Sequence, residues 1–93
     1  MSEKTTPALA KLDELLPKLR ALPTNPDSEQ LIQSAEALRR AVAAFHMEAI
    51  RFRMYSVDRL LIRQADADCS RLFGEVRSAL ETAGFHTRSH AAP

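Results

Sequence analysis

Apolar residues recur along the chain at helical spacing. Ala8, Leu12, Leu15, Leu19 and Leu22 follow one another at steps of four, three, four and three, which keeps side chains on one face of a helix with 3.6 residues per turn. Thr6 followed by Pro7 reads as an N-cap and a first-turn proline. Pro17 falls inside the same run. It has no N–H and its ring crowds the carbonyl of Asp13, so the pattern predicts a kink or break between Leu16 and Pro17.

The segment Pro-Thr-Asn-Pro-Asp-Ser over 23–28 interrupts the periodicity. Asn25 before Pro26, or Asp27 with Gln30 three residues on, can cap a second helix. Its stripe, Leu31, Ala35, Leu38, Val42, Phe45, Ala49 and Phe52, keeps heptad spacing and forms a narrow seam suited to helix packing. From Ile50 a second stripe takes over: Ile50, Met54, Val57, Leu61, Ala65, Cys69, Leu72, Val76 and Leu80. Its first members lie roughly 160° around the axis from Phe52 at about 100° per residue. A break near Tyr55 and Ser56, with Ser56 capping helix three, accounts for this change of face; one helix of more than fifty residues is the alternative. The break gives two arms of about 27 residues, each about 40 Å long, matched for an antiparallel hairpin.

The far end carries a stop signal. Gly84 stands where a left-handed C′ residue belongs, and Phe85 can fold back onto Leu80 as in a Schellman motif. Gly74, inside helix three, costs roughly 1 kcal/mol against alanine and marks a point where another helix can come close. With two glycines in 93 residues, hairpins of strands lack their turn chemistry. The expected fold is all-α: a short kinked N-terminal helix and a long antiparallel helical hairpin, together a three-helix bundle completed by dimerisation. Helices are expected over about 7–22, 27–55 and 57–83, in one domain spanning 1–85, with a flexible tail over 86–93.

Length bears on the dimer. A single domain of this size buries only about 60 to 65% of the surface its unfolded chain exposes, so tight packing or a partner must add core. Ile32, Ala43, Met47, Ile50 and Met54 lie opposite the Phe45/Phe52 seam. Apolar surface on both sides of one helix is the mark of burial on both sides, and a second copy supplies the missing cover most economically. These five residues are therefore the expected homodimer interface.

The formal net charge is +1, but it is unevenly spread. Residues 1–38 carry a net −2, residues 39–63 six arginines against Glu48 and Asp58 for a net +4, and residues 64–93 a net −1. A hairpin would gather Arg51, Arg53, Arg59 and Arg63 at its bend as a basic, partner-binding end. Glu36 with Arg40, Glu48 with Arg51 and Arg63 with Asp66 stand at pairing distance along a helix. Arg53 and Arg59 have no such neighbour. The planar guanidinium suits carboxylate or phosphate recognition.

Enzymatic constellations are sparse: serine, histidine and acidic residues are present, but there is no P-loop, no dinucleotide fingerprint and no glycine-rich turn around a serine. Cys69, in mid-stripe, reads as a small core residue. His86 and His90 share metal-binding spacing but lie past the Gly84 stop with no cysteine or acid to complete a site. His46, near Met47 and Met54, suggests an imidazole and thioether pair for haem or copper, against the plainer reading of a histidine on an apolar edge. No cofactor or metal is expected. No apolar run approaches the length of a membrane span, the N-terminal residues have no secretory character, and one cysteine forms no internal disulfide. The chain is expected to be cytoplasmic and bacterial, an adaptor or regulatory module that dimerises and binds a protein partner. The alternative is a nucleic-acid-associated protein holding phosphates with the same arginines, and third stands a ligand- or metal-binding helical bundle around His46.

Overall fold

In the computed structural model, which describes residues 3–85, the described chain is all-helical. A 3-10 turn, Glu3–Thr5, leads into four α-helices: α1 (Thr6–Arg20), α2 (Pro26–Ala43), α3 (Met47–Ile62) and α4 (Ala67–Thr82). None is long and apolar enough to cross a membrane. The helix count exceeds the expected three because the predicted second and third arms are divided differently.

The first helix follows its pattern closely. Ala8, Leu12, Leu15 and Leu19 are fully buried, and Leu9 and Leu16 widen the stripe. Helical geometry begins at Thr6, with the buried Thr5 in the cap position. The predicted break at Pro17 does not occur: α1 runs unbroken to Arg20, and the Pro17 carbonyl still accepts from the Ala21 N–H at 3.1 Å. Pro17 stands on the exposed side, where water can take the place of the missing N–H at the Asp13 carbonyl. Asn25 caps α2 as expected. Its Oδ1 accepts from the Ser28 N–H at 2.9 Å, and Ser28 Oγ accepts in return from the Asn25 N–H at 3.0 Å, a reciprocal capping box with serine in the usual glutamate position.

The break expected at Tyr55 and Ser56 lies elsewhere. Ser56 is inside α3, its hydroxyl donating to the Phe52 carbonyl at 3.2 Å. The chain turns instead at residues 44–46. Phe45 adopts φ 58°, its N–H bonds the Val42 carbonyl at 3.1 Å and the His46 N–H bonds the Ala41 carbonyl at 3.0 Å. That is the Schellman pattern with phenylalanine in the left-handed position glycine normally takes. A second corner follows α3, where Ala65 has φ 52°. Asp66 then starts α4 by accepting from the Cys69 N–H at 2.9 Å. At the end of α4 the expected Gly84 stop is present: φ is 99°, and the Phe85 N–H reaches the Leu80 carbonyl at 2.9 Å.

These corners decide which faces are buried. Leu31, Ala35, Leu38 and Val42 of α2 enter the core, but Phe45 and Phe52 of the predicted continuous seam are exposed. Past the corner the second stripe does face inward: Ile50, Met54, Val57 and Leu61 on α3, Cys69, Leu72, Val76 and Leu80 on α4. Ala65 leaves that stripe for the exposed corner. Gly74 has nothing within 4 Å of where a Cβ would stand, so no helix approaches closely there. α1 packs chiefly against α4 and α2, and α2 against α3. Lys18 pairs with Asp68 at 3.5 Å and Lys11 with Glu75 at 3.0 Å, which sets α1 and α4 antiparallel. Lys4 and Pro7 accordingly share a shallow depression with Thr82 and Ala83. Asp27, at the start of α2, meets Arg63, just past the end of α3, at 3.6 Å. The expected hairpin of 27–55 against 57–83 is not formed: α2 and α3 lie antiparallel instead, at 18 and 16 residues about three-fifths to two-thirds the length of the predicted arms.

Several surface carboxyls are held below their ordinary values. The Cys69 N–H does this for Asp66, a hydrogen bond from Arg39 for Asp13, and one from Lys11 for Glu75. A carboxyl lowered on folding contributes stability that is complete above the unfolded value of about 4 and is lost as pH falls through the lower folded one. The urea midpoint is therefore expected to fall between pH 5 and about pH 2.5. Asp66→Asn keeps a cap acceptor but has no proton to gain, so it should flatten part of that fall while preserving helical circular dichroism at pH 7. An unchanged acid limb would assign the effect to other groups.

Candidate functional site

Arg53, Ser56, Arg59, Leu60 and Arg63 follow one another along the flank of α3 that faces α2. Steps of three and four place such residues side by side on a helix. Across from them stand Gln30 and Ser34 of α2, and Phe52 closes the rim. The groove has a volume of about 380 Å³. An adjoining depression of about 320 Å³ shares Gln30, Ser34 and Arg53 with it and adds Gln33, Ala37 and Arg40. The two form one channel lined by four arginines, two glutamines and two serines, and no carboxylate lines it among the described residues.

The pairing of these arginines differs from expectation. Glu36 joins Arg20 at 2.9 Å rather than Arg40. Arg63 joins Asp27 rather than Asp66. Among the described residues Arg40, Arg51, Arg53 and Arg59 have no carboxylate within ion-pair distance, so the expected pair of Arg51 with Glu48 does not form either. Arg53 lies over the Phe52 ring, 5.1 Å from its centroid, and Arg59 over Tyr55 at 5.5 Å. Both rings are exposed.

Of the four residues of the expected basic end, Arg53, Arg59 and Arg63 come together in the groove and Arg51 does not. The four do not gather at a bend, because α3 is unbroken through Tyr55 and Ser56; from Arg51 to Arg63 they run along about 18 Å at 1.5 Å per residue. The expected dimer face does not survive as one surface. Ile50 and Met54 are buried within the chain, Ile32 and Ala43 are half-buried, and Met47 is exposed. The turn at 44–46 rotates the Ile50/Met54 stripe onto the core, which removes the need for a second copy to cover it.

His46 is used as the cap of α3, its Nδ1 accepting from the Ala49 N–H at 3.3 Å. Met54 is in the core while Met47 is exposed, so the imidazole and thioether pair is not assembled. Among the described residues no three histidine, cysteine or acidic side chains cluster closely enough to hold a metal ion. His86 and His90 lie outside the described residues. Cys69 is buried as expected, and its thiol is pushed up to about 11, first by burial and then by the Asp66 carboxylate. Such a thiol is a poor nucleophile at neutral pH.

Arg40, Gln30, Gln33, Ser34 and Ser56 went unmarked by spacing alone. Their common surface exists only because α3 folds back along α2, which a glycine at position 45 would have signalled. Compared with known proteins, the chain matches no family model, no curated protein and no solved structure.

Proposed function

We propose that the protein is a non-enzymatic interaction module that holds an acidic segment of another protein in the groove between α2 and α3. The observation that carries this reading is the convergence of Arg40, Arg53, Arg59 and Arg63 on one channel without a lining carboxylate. Like charges drawn together in this way repel one another, and an acidic ligand relieves that repulsion. Glutamine and serine add neutral donors, and the exposed Phe52 offers an apolar contact at the rim. A net charge of +1 provides little long-range field, which suits a short acidic segment better than a polynucleotide. The exposed Phe52 and Tyr55 favour a second reading, in which bases stack on those rings and the arginines take phosphates.

Fluorescence anisotropy with a labelled Asp/Glu-rich peptide, and with a single-stranded oligonucleotide of equal charge, tests both. The peptide should bind, and Arg40→Glu with Arg53→Glu should weaken it at least tenfold while helical circular dichroism is unchanged, since neither arginine is ion-paired among the described residues. Binding of the oligonucleotide alone would transfer the site to nucleic acid. Equal peptide binding by the double variant would remove the groove from the interaction.

A further inference from the structure

Among the described residues the exposed large apolar side chains, Phe45, Met47, Phe52, Tyr55 and Ile62, all fall between the α2–α3 corner and the end of α3. On α3 itself Phe52 is 58% exposed, Tyr55 45% and Ile62 72%. Together with Glu48 and Arg59 they occupy positions 48, 52, 55, 59 and 62, alternating steps of four and three, the a/d repeat of a coiled coil. At about 100° per residue these five lie within an arc of about 80°, roughly opposite the buried stripe of the same helix. One helix therefore has two packing faces, and the described residues cover only one.

We propose that the outer face of α3 pairs with the same face of a second copy, the two helices antiparallel about a two-fold axis passing between residues 53 and 54. In that register Phe52 faces the partner's Tyr55, and Glu48 faces the partner's Arg59. Each of these meetings occurs twice, and each sets an a-type position against a d-type one, the layer arrangement of antiparallel coiled coils. Charge selects the register. A parallel pair would stack Glu48 on itself and Arg59 on itself. An axis at Tyr55 would oppose Glu48 to the partner's Ile62 and leave a carboxylate against apolar surface. The axis between 53 and 54 instead joins the apolar centre and neutralises both flanking charges, giving the self-complementary patch a two-fold dimer requires.

The interface uses a different observation from the groove and does not depend on it. Arg59 and Phe52 are common to both; on pairing they turn to the partner's seam while Arg40, Arg53 and Arg63 continue to line the channel. A helix of 16 residues offers a seam of only about 24 Å, below the size of a standard stable interface, so the dimer is expected to dissociate in the range of tens of micromolar.

Sedimentation velocity from about 10 to 500 µM tests the proposal, with circular dichroism to establish that each variant folds. The unsubstituted chain should shift from monomer to dimer over that range. Glu48→Arg and Arg59→Glu should each weaken association at least tenfold, because each replaces an attraction with a repulsion, twice per dimer. Combined in one chain they should restore association to within about threefold. An equimolar mixture of the two single variants should also associate, since all four facing charges are then opposite in sign. A monomer throughout the range, single variants that dimerise normally, or a mixture that stays monomeric would each overturn the pairing.

Discussion

Ile50→Glu should abolish the cooperative thermal transition of this protein, whereas Met47→Glu, three residues earlier, should melt within a few degrees of the unsubstituted chain. Both side chains lie in the first turn of α3. Ile50 is 0% exposed and Met47 49%. Removing a buried isoleucine costs about 2 to 5 kcal/mol, and a carboxyl in its place must be desolvated or protonated for several kcal/mol more. A chain of this length has roughly 5 to 14 kcal/mol of stability in total. The first substitution removes most or all of it; the second, on the surface, changes it by about 0.5 kcal/mol or less. Far-UV circular dichroism melts read the contrast directly. Comparable losses for both would mean that the two residues share one buried face and that the turn at 44–46 is misplaced.

Leu12→Ala should cost about 3 to 4 kcal/mol and lower the melting temperature by roughly 15 to 25 °C. Leu12 is fully buried at the middle of α1, the helix that packs on both α2 and α4. Neighbours held on two sides cannot collapse fully into the space left, and the cost of a cavity follows the volume that remains. The urea slope should be unchanged, because the surface exposed on unfolding is nearly the same. A loss under 1 kcal/mol in urea unfolding would show that α1 closes over the gap.

The elements legible in the sequence are those whose boundaries rest on proline, glycine or a short polar cap. Pro7, the Asn25–Pro26 start and the Gly84 stop each carry their signal locally; the last two stand where they were expected, and the first helix starts one residue earlier, with Thr5 rather than Thr6 in the cap position. The turn at 44–46 carries no such signal. The N–H groups of Phe45 and His46 make the same pair of hydrogen bonds that those of Gly84 and Phe85 make at the end of α4, yet a phenylalanine with positive φ is unfavourable by itself. The ring of Phe85 meets it edge-on at 5.2 Å between centroids, a contact between residues distant in sequence that no local rule can anticipate. Once that turn is missed, heptad spacing carries the seam of α2 through Phe45 to Phe52, two residues that are exposed. The corner before α4 had a signal: Asp66, three residues ahead of Cys69 at the head of the Leu72/Val76/Leu80 stripe, is an ordinary N-cap. The excess of arginine in the middle of the chain was also legible. Its convergence with Gln30 and Ser34 was not, because it depends on the direction in which α3 leaves the corner.

The antiparallel seating of α1 against α4 joins the two helices farthest apart in the chain. Measured between helix midpoints, bringing them together closes a stretch of chain roughly three times longer than the one that unites α2 with α3, at an extra entropic cost of about 1 kcal/mol. That pairing is the step in assembly that local helix formation helps least, and α2 with α3 is the natural early scaffold for it. The same seating brings Lys4 and Pro7 beside Thr82 and Ala83. A short linker between those ends, with the chain reopened at the exposed corner around Ala65, would preserve every helix while converting the slow, distant closure into a local one: a circular permutant with the same packing and a faster route to it.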